Sequence, residues 1–126
     1  MNNSSMKILV VDDSPLMRSF AKDSLVALSL KNITEADDGV NALTALKKER
    51  FDLILSDLHM PNMDGLELLK AVKDDADLKN IPFIIMTLDG RREVLLEAAK
   101  NGLDDFIMKP VTADALGKKL KKVFRQ

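Results

Sequence analysis

Short, largely apolar runs alternate with longer segments of helical periodicity five times along the chain. These runs are KILVV (Lys7 to Val11), NITEA (Asn32 to Ala36), DLILS (Asp52 to Ser56), FIIMT (Phe83 to Thr87) and DFIM (Asp105 to Met108). Each has the length of a strand, and several are apolar without alternation, which is typical of strands buried on both faces. The pattern therefore predicts a parallel sheet covered by helices on both sides.

The segment after each run has apolar residues at the spacing of one helix face. Ser14 and Pro15 begin the first helix, because serine is a good N-cap and proline loses no hydrogen bond at the first helical position. Asp37, Asp38 and Gly39 turn the chain into the second helix. The predicted inward faces are Met17, Phe20, Ala21, Ser24 and Leu28; Val40, Leu43 and Leu46; Leu66, Leu69 and Val72; Val94, Leu95, Ala98 and Ala99; and Leu116, Leu120, Val123 and Phe124. Five strand-helix units predict a doubly wound α/β fold.

The composition is that of an ordinary globular domain. The chain has 126 residues, 46% hydrophobic and 31% charged, with a formal net charge of −1. A chain of this length can bury a core without disulfides, and the absence of cysteine favours a reducing cytoplasm. The small net charge gives no bulk attraction for nucleic acid, and no apolar run reaches the ~18 residues of a membrane span. We therefore expect a cytoplasmic protein that binds neither nucleic acid nor membrane.

The chain shows no linker, repeat or low-complexity tract. We expect residues 1–5 to form a loose leader and residues 6–126 to form a single domain with no further domain attached. We also expect the protein to be a monomer.

Five chemically active side chains follow or end the predicted strands. They are Asp12, Asp13, Asp57, Thr87 and Lys109. In folds of this kind ligands bind beyond the carboxyl ends of the strands, so we expect these groups to meet. Three neighbouring carboxylates repel one another, and such a site either protonates one of them or holds a cation. Oxygen ligands alone favour Mg²⁺, and a divalent ion beside a lysine and a threonine suits a phosphoryl group.

Helix capping offers a simpler explanation for acidic residues after a strand. It accounts for Asp37 and Asp38. Ser14 already supplies the cap of the first helix, so capping leaves at least one of Asp12 and Asp13 unexplained.

Four segments carry a resemblance to a known family. VVDDSPLMR, LILSDLHMPNMDGLELLK, FIIMT and DFIMKP resemble the receiver domain of two-component response regulators, and among these the single-domain chemotaxis regulators most. The resemblance extends from Lys7 to Phe124. It implies a flavodoxin-like five-stranded parallel sheet of order 2-1-3-4-5 with five helices.

The resemblance also implies a role for each site residue. Asp57 would be the phosphoacceptor, attacking a phosphohistidine of a sensor histidine kinase to form an aspartyl phosphate. Asp13 and Asp57 would bind Mg²⁺ directly, together with the backbone carbonyl of His59, and Asp12 would hold the ion through water. Lys109 would pair with the phosphoryl oxygens.

A conformational switch is implied as well. Thr87 would hydrogen-bond the phosphoryl group, and Phe106 would swing inward as Thr87 moves. The surface of the fourth helix, fifth strand and fifth helix would then bind a partner. The Lys109-Pro110 peptide is usually cis in this family.

These roles describe a stand-alone signalling protein that catalyses only its own phosphorylation and dephosphorylation. Its partners would be a sensor histidine kinase and, in chemotaxis or motility signalling, a flagellar motor switch protein or a phosphatase. The alternative within the family is a phosphorelay or kinase-control receiver that passes the phosphoryl group to another histidine protein.

The sequence departs from the family pattern at a few positions. Leu88 stands where a small residue is usual, which predicts altered phosphorylation and dephosphorylation rates. His59 and Asp89 occupy positions that tune hydrolysis of the acyl phosphate. Phe106 lacks the hydroxyl of the tyrosine usual in the chemotaxis proteins, so recognition of identical partners does not follow.

Two functions of other classes fit the residues less well. A flavodoxin-like electron carrier needs a polar phosphate loop where Asp12 and Asp13 stand, and the chain has no Trp or Tyr to stack a flavin. An aspartate-nucleophile phosphatase needs a second acid two residues after the nucleophile, where His59 stands. A nucleotide-binding enzyme fits poorly as well. It would need a dinucleotide fingerprint or a phosphate-binding loop, and the glycines of the chain form neither.

Overall fold

A computed structural model describes residues 5–124 of the chain. The strands are β1 (Lys7–Val11), β2 (Asn32–Ala36), β3 (Leu53–Asp57), β4 (Phe83–Thr87) and β5 (Asp105–Met108). The helices are α1 (Pro15–Ala27), α2 (Gly39–Lys48), α3 (Gly65–Asp74), α4 (Arg92–Lys100) and α5 (Ala113–Val123). Four strands have their predicted bounds. The third lies one residue further on, because Asp57 still pairs with Met86 of β4.

The five strands form one parallel sheet in the order β2-β1-β3-β4-β5. This confirms the predicted fold class and strand order. The register places Val11 beside Ser56, Asp57 beside Met86, and Thr87 beside Met108. The carboxyl ends of the strands are therefore level, and the residues that follow them share one edge of the sheet.

A hydrophobic core lies on each face of the sheet. Leu9, Ile54 and Ile85 point into one core with residues of α2 and α3, and alternate residues of the same strands point into the other, with α1 and α5. All five residues of β3 and of β4 are buried. Burial on both faces is the reason why these strands lack polar alternation.

The predicted inward face of α1 is partly wrong. Ala21, Ser24 and Leu25 are buried, whereas Phe20 is 39% exposed. The buried face is centred on three positions at i, i+3 and i+4, and Phe20 lies about 100° away from Ala21 on the helix. Phe20 therefore lies outside the buried face of α1.

Smaller corrections apply to the next three helices. Val40 on α2 is 48% exposed, and Ala99 on α4 is exposed. Leu68 on α3, which the predicted face omitted, is completely buried. Leu68 belongs to the centre of its buried helix face, together with Gly65, Leu69 and Val72.

The helix starts agree with the predicted caps. Ser14 Oγ accepts a hydrogen bond from the Met17 N–H at 3.2 Å, and Asp38 Oδ1 accepts one from the Asn41 N–H at 2.8 Å. Capping therefore explains Asp38.

The predicted leader lies outside the described residues except for Ser5, which is exposed. Within residues 5–124, no helix is both long enough and apolar enough to cross a membrane.

Candidate functional site

Three carboxylates meet at the carboxyl edge of the sheet. Asp12 and Asp13 follow β1, and Asp57 ends β3. Each offers an oxygen, and these oxygens all lie within 4.8 Å of one another. Asp12 and Asp57 are buried and Asp13 is exposed. The cluster therefore forms a cleft that is closed at Asp12 and open to solvent at Asp13.

Lys109 is the cation of this cleft. Its Nζ lies 2.7 Å from Asp12 Oδ2 and 3.2 Å from Asp57 Oδ1, and its side chain is only 7% exposed. Asp12 Oδ2 accepts no hydrogen bond from residues 5–124, so its contact with Lys109 is an ion pair without hydrogen-bond angles. One ammonium group faces three carboxylates, and the cleft carries an excess of negative charge.

Asp57 is the carboxylate most affected by this charge. Burial and the neighbouring Asp12 carboxylate raise its pKa above the ordinary value, and they outweigh the opposing effect of Lys109. Asp57 Oδ1 accepts a hydrogen bond from the Leu58 N–H at 2.8 Å. Its Oδ2 accepts none within residues 5–124 and is not sealed from solvent. Asp57 thus offers one held oxygen and one available oxygen.

The loop after Asp57 is fixed by the start of α3. The Gly65 N–H donates to the Leu58 carbonyl at 2.8 Å. Asp64 and Glu67 form a reciprocal capping box at the start of the helix. A Cβ atom on Gly65 would lie 2.2 Å from the Asp57 carbonyl oxygen. Helix α3 therefore begins against the end of β3, at a distance that only glycine permits.

Thr87 ends β4 and is almost completely buried. Its Oγ1 accepts a hydrogen bond from the Asp89 N–H at 2.8 Å and donates to the Asp89 carbonyl at 3.4 Å. The hydroxyl group is thus held by its own loop.

A charged cluster beside Thr87 was not predicted from the sequence. Arg91 binds the Asp89 carboxylate through Nε at 2.9 Å and Nη2 at 2.8 Å. His59 Nε2 lies 3.3 Å from Asp89 Oδ2. The hydrogen bonds from Arg91 hold the pKa of Asp89 well below its ordinary value. Asp89 and Arg91 lie two residues apart in one loop, whereas His59 lies in a different loop that only the fold brings beside Asp89.

His59 does not bring its side chain to the three carboxylates. Its imidazole is 68% exposed and faces Asp89. The ring is therefore an exposed loop side chain. The predicted part of His59 in metal binding concerns its backbone carbonyl and stays a prediction.

Leu88 and Phe106 lie beside and within the last two strands of the sheet. Leu88 follows β4 and is 69% exposed, so its side chain covers no core. Phe106 on β5 is half-buried, and Lys119 Nζ lies 4.9 Å from the centre of its ring. The Lys109-Pro110 peptide is cis, as the resemblance implied.

The residues of the cleft fit a hard divalent cation. The donors are all oxygen atoms, as Mg²⁺ prefers. Their negative charge exceeds the positive charge of Lys109. Asp12 Oδ2 is buried and accepts no hydrogen bond within the described residues. A divalent cation would oppose the burial and the repulsion by Asp12 that raise the pKa of Asp57.

Comparisons with known proteins cover nearly the whole chain. A family model for the response regulator receiver domain matches residues 8–121. The chemotaxis protein CheY-3 of Vibrio cholerae serotype O1 is 44% identical over 124 residues, covering 98% of this chain and 95% of that protein. The chemotaxis protein CheY of Pseudomonas aeruginosa is 41% identical over 121 residues, covering 96% and 98%. The solved structure of CheY4 of Vibrio cholerae has a TM-score of 0.86 at 34% identity and covers 94% of this chain and 98% of that one.

Proposed function

Because the chain belongs to the response regulator receiver domain family and resembles its CheY-type members, we propose that it accepts a phosphoryl group on Asp57 from a sensor histidine kinase. The family works in phosphorylation-based signalling, and its members are signalling proteins rather than classical enzymes. The observation that supports Asp57 most strongly is its position. Its Oδ1 lies 3.2 Å from Lys109 Nζ, its carboxylate belongs to the acidic cluster with Asp12 and Asp13, and its Oδ2 accepts no hydrogen bond within residues 5–124.

The proposed transfer exchanges one bond for another. A P–O bond forms between the phosphorus atom and Asp57 Oδ2, and the P–N bond of the phosphohistidine breaks. The imidazole nitrogen leaves with the electron pair of that bond. Lys109, already 3.2 Å from Asp57 Oδ1, is placed to pair with the phosphoryl oxygens. Such transfer depends mainly on positioning and charge neutralisation, which these residues supply without a separate general base.

Receiver domains bind Mg²⁺ at their acidic pocket, and we assign that role here to Asp12, Asp13 and Asp57 with the backbone carbonyl of His59. When bound, the ion would neutralise the charge of the phosphoryl oxygens and the carboxylates.

Phosphorylation would then act on Thr87 and Phe106. The Thr87 hydroxyl would exchange its contacts with Asp89 for one phosphoryl oxygen. Phe106 would move inward and change the surface of α4, β5 and α5. Because the relatives at 41–44% identity are chemotaxis proteins, we assign the protein to chemotaxis or motility signalling, as a cytoplasmic monomer that binds a flagellar motor switch protein or a phosphatase.

Two assays distinguish this role from a phosphorelay. In the first, purified flagellar switch protein from the same organism is titrated with the phosphorylated and the unphosphorylated chain. In the second, radiolabelled chain is incubated with a histidine phosphotransfer protein of that organism. We expect tighter binding of the phosphorylated form in the first assay and no transfer in the second. Efficient transfer without switch-protein binding would contradict the chemotaxis assignment.

Leu88 is expected to slow access to Asp57. Its exposed side chain follows Thr87 directly, where a small residue would leave the cleft wider. We expect Leu88→Ala to increase severalfold the rates of phosphorylation by a small phosphodonor and of dephosphorylation. Both rates can be followed by intact mass against time. Leu96→Ala is the control, because Leu96 is also exposed, at 50%, but lies on α4. Equal rates for wild type, Leu88→Ala and Leu96→Ala would refute an access role.

A further inference from the structure

Asp105 is a buried carboxylate outside the cleft. It begins β5 and is 8% exposed. Its Oδ1 accepts hydrogen bonds from the Phe106 N–H at 2.8 Å and from Lys119 Nζ at 3.0 Å. Its Oδ2 is buried and accepts no hydrogen bond from the part of the chain that the structure describes, and Lys122 Nζ lies 3.5 Å from it. Burying a carboxylate is unfavourable unless cations compensate it, so Asp105 anchors Lys119 and Lys122 of α5.

Lys119 joins this anchor to the ring of Phe106. The same ammonium group that binds Asp105 lies 4.9 Å from the centre of the Phe106 ring. Neighbouring residues of a strand point to opposite faces of the sheet. Lys119 reaches the Asp105 carboxylate and the Phe106 ring because β5 is the edge strand. Its side chain can pass around the edge of the sheet. Its side chain is 30% exposed, which limits competition from water.

The ring is held from two sides. Phe106 packs against the core on one face of the sheet, the core against which Val94 of α4 also packs. Lys119 contacts the ring from α5, which belongs to the other face. A ring that leaves this position gives up its contact with the ammonium group, while Lys119 keeps its bond to Asp105.

We propose that Lys119, anchored by Asp105, is a positioning residue that holds Phe106 at the sheet edge in the resting protein and thereby opposes the switch. The inference rests on the proposed function, because it assumes that Phe106 moves when Asp57 is phosphorylated. A cation over an aromatic ring at a partly exposed site corresponds to a population shift of roughly two- to fivefold. Loss of the contact is expected to increase the switched population by that factor.

The test follows the ring itself. The full chain is labelled with 4-fluorophenylalanine at its five phenylalanines, and the Phe106 signal in the ¹⁹F NMR spectrum is assigned with Phe106→Leu. Spectra are recorded for the resting protein and with Mg²⁺ and beryllofluoride, a phosphoryl analogue. In Lys119→Gln we expect the resting Phe106 signal to shift toward its position in the beryllofluoride-bound protein. Asp105→Asn should shift it in the same direction.

Two variants serve as controls. Lys119→Arg preserves the charge, the bond to Asp105 and the contact with the ring, and should retain the wild-type signal. Lys122→Gln removes a lysine that pairs with Asp105 without contacting Phe106 in the described contacts, and should also leave the signal in place. A resting Phe106 signal that is identical in wild type and Lys119→Gln would overturn the inference, as would equal shifts in Lys119→Gln and Lys122→Gln.

The experiment separates this inference from the proposed function. If the wild-type Phe106 signal does not respond to beryllofluoride, the switch and the inference both fail, whereas the mass of the phosphorylated chain still reports on Asp57. If the wild-type Phe106 signal responds to beryllofluoride but is unchanged by Lys119→Gln, the inference alone fails.

Discussion

Gly65→Ala is expected to lower the free energy of unfolding by about 3 kcal/mol, at the upper end of the usual cost of overpacking. The new Cβ atom would lie 2.2 Å from the Asp57 carbonyl oxygen and 2.9 Å from the Leu58 Cα. Both are backbone atoms, so no side-chain rotation can relieve the clash. The start of α3 or the end of β3 must shift, and Asp57 would shift with it. Urea unfolding at equilibrium measures the change.

Gly117→Ala provides a matched control. Gly117 lies within α5, and its added Cβ atom would lie 3.4 Å from Leu28 Cδ2. This distance requires little movement of a flexible side chain, and alanine favours a helix interior by roughly 0.5–1 kcal/mol over glycine. We expect unchanged or slightly higher stability. Equal stabilities for the two variants would show that the close contact at Gly65 does not constrain the site.

Lys109→Met is expected to destabilise the metal-free protein by about 3 kcal/mol. The substitution leaves the buried Asp12 and Asp57 carboxylates without their cation. Removing one partner of a buried ion pair typically costs about 3–5 kcal/mol. The cleft is open to solvent at Asp13, which places this case at the lower end. Urea unfolding in the presence of a chelator measures the effect.

Two comparisons test whether unbalanced charge in the cleft causes the loss of stability in Lys109→Met. Adding Asp12→Asn to Lys109→Met removes one of the repelling carboxylates and should recover part of the lost stability. Lys73→Met breaks the more exposed pair with Asp104, and such a pair is worth at most about 1 kcal/mol. If Lys73→Met and Lys109→Met cost the same, or if Asp12→Asn recovers nothing, the unbalanced charge of the cleft is not what Lys109 compensates.

The sequence predicted the fold closely because its strongest signals are those that the fold requires. Strands buried on both faces need apolar residues at successive positions, and this pattern identified β3 and β4 in the sequence. The Ser14-Pro15 start of α1 identified Asp12 and Asp13 as unexplained acids. Parallel strands then bring their following residues to one edge, so Asp12, Asp57, Thr87 and Lys109 could be grouped without coordinates.

Contacts between separate loops and around a sheet edge were not predictable. The approach of His59 to Asp89 depends on the relative position of two loops. Similarly, Lys119 reaches Phe106 because β5 is an edge strand and α5 lies beside it. The spacing of the lysines on α5 shows that the helix is basic. It does not show that two of them pair with the buried Asp105.

Asp57 as the phosphoacceptor is tested most directly by intact mass. Wild type, Asp57→Asn and Asp23→Asn are incubated with a small phosphodonor such as acetyl phosphate, each with Mg²⁺ and with a chelator. Asp23 is an exposed residue of α1 and controls for the loss of a carboxylate elsewhere. We expect one phosphoryl adduct on wild type and Asp23→Asn with Mg²⁺, and none on Asp57→Asn. A full adduct on Asp57→Asn would contradict the assignment of Asp57.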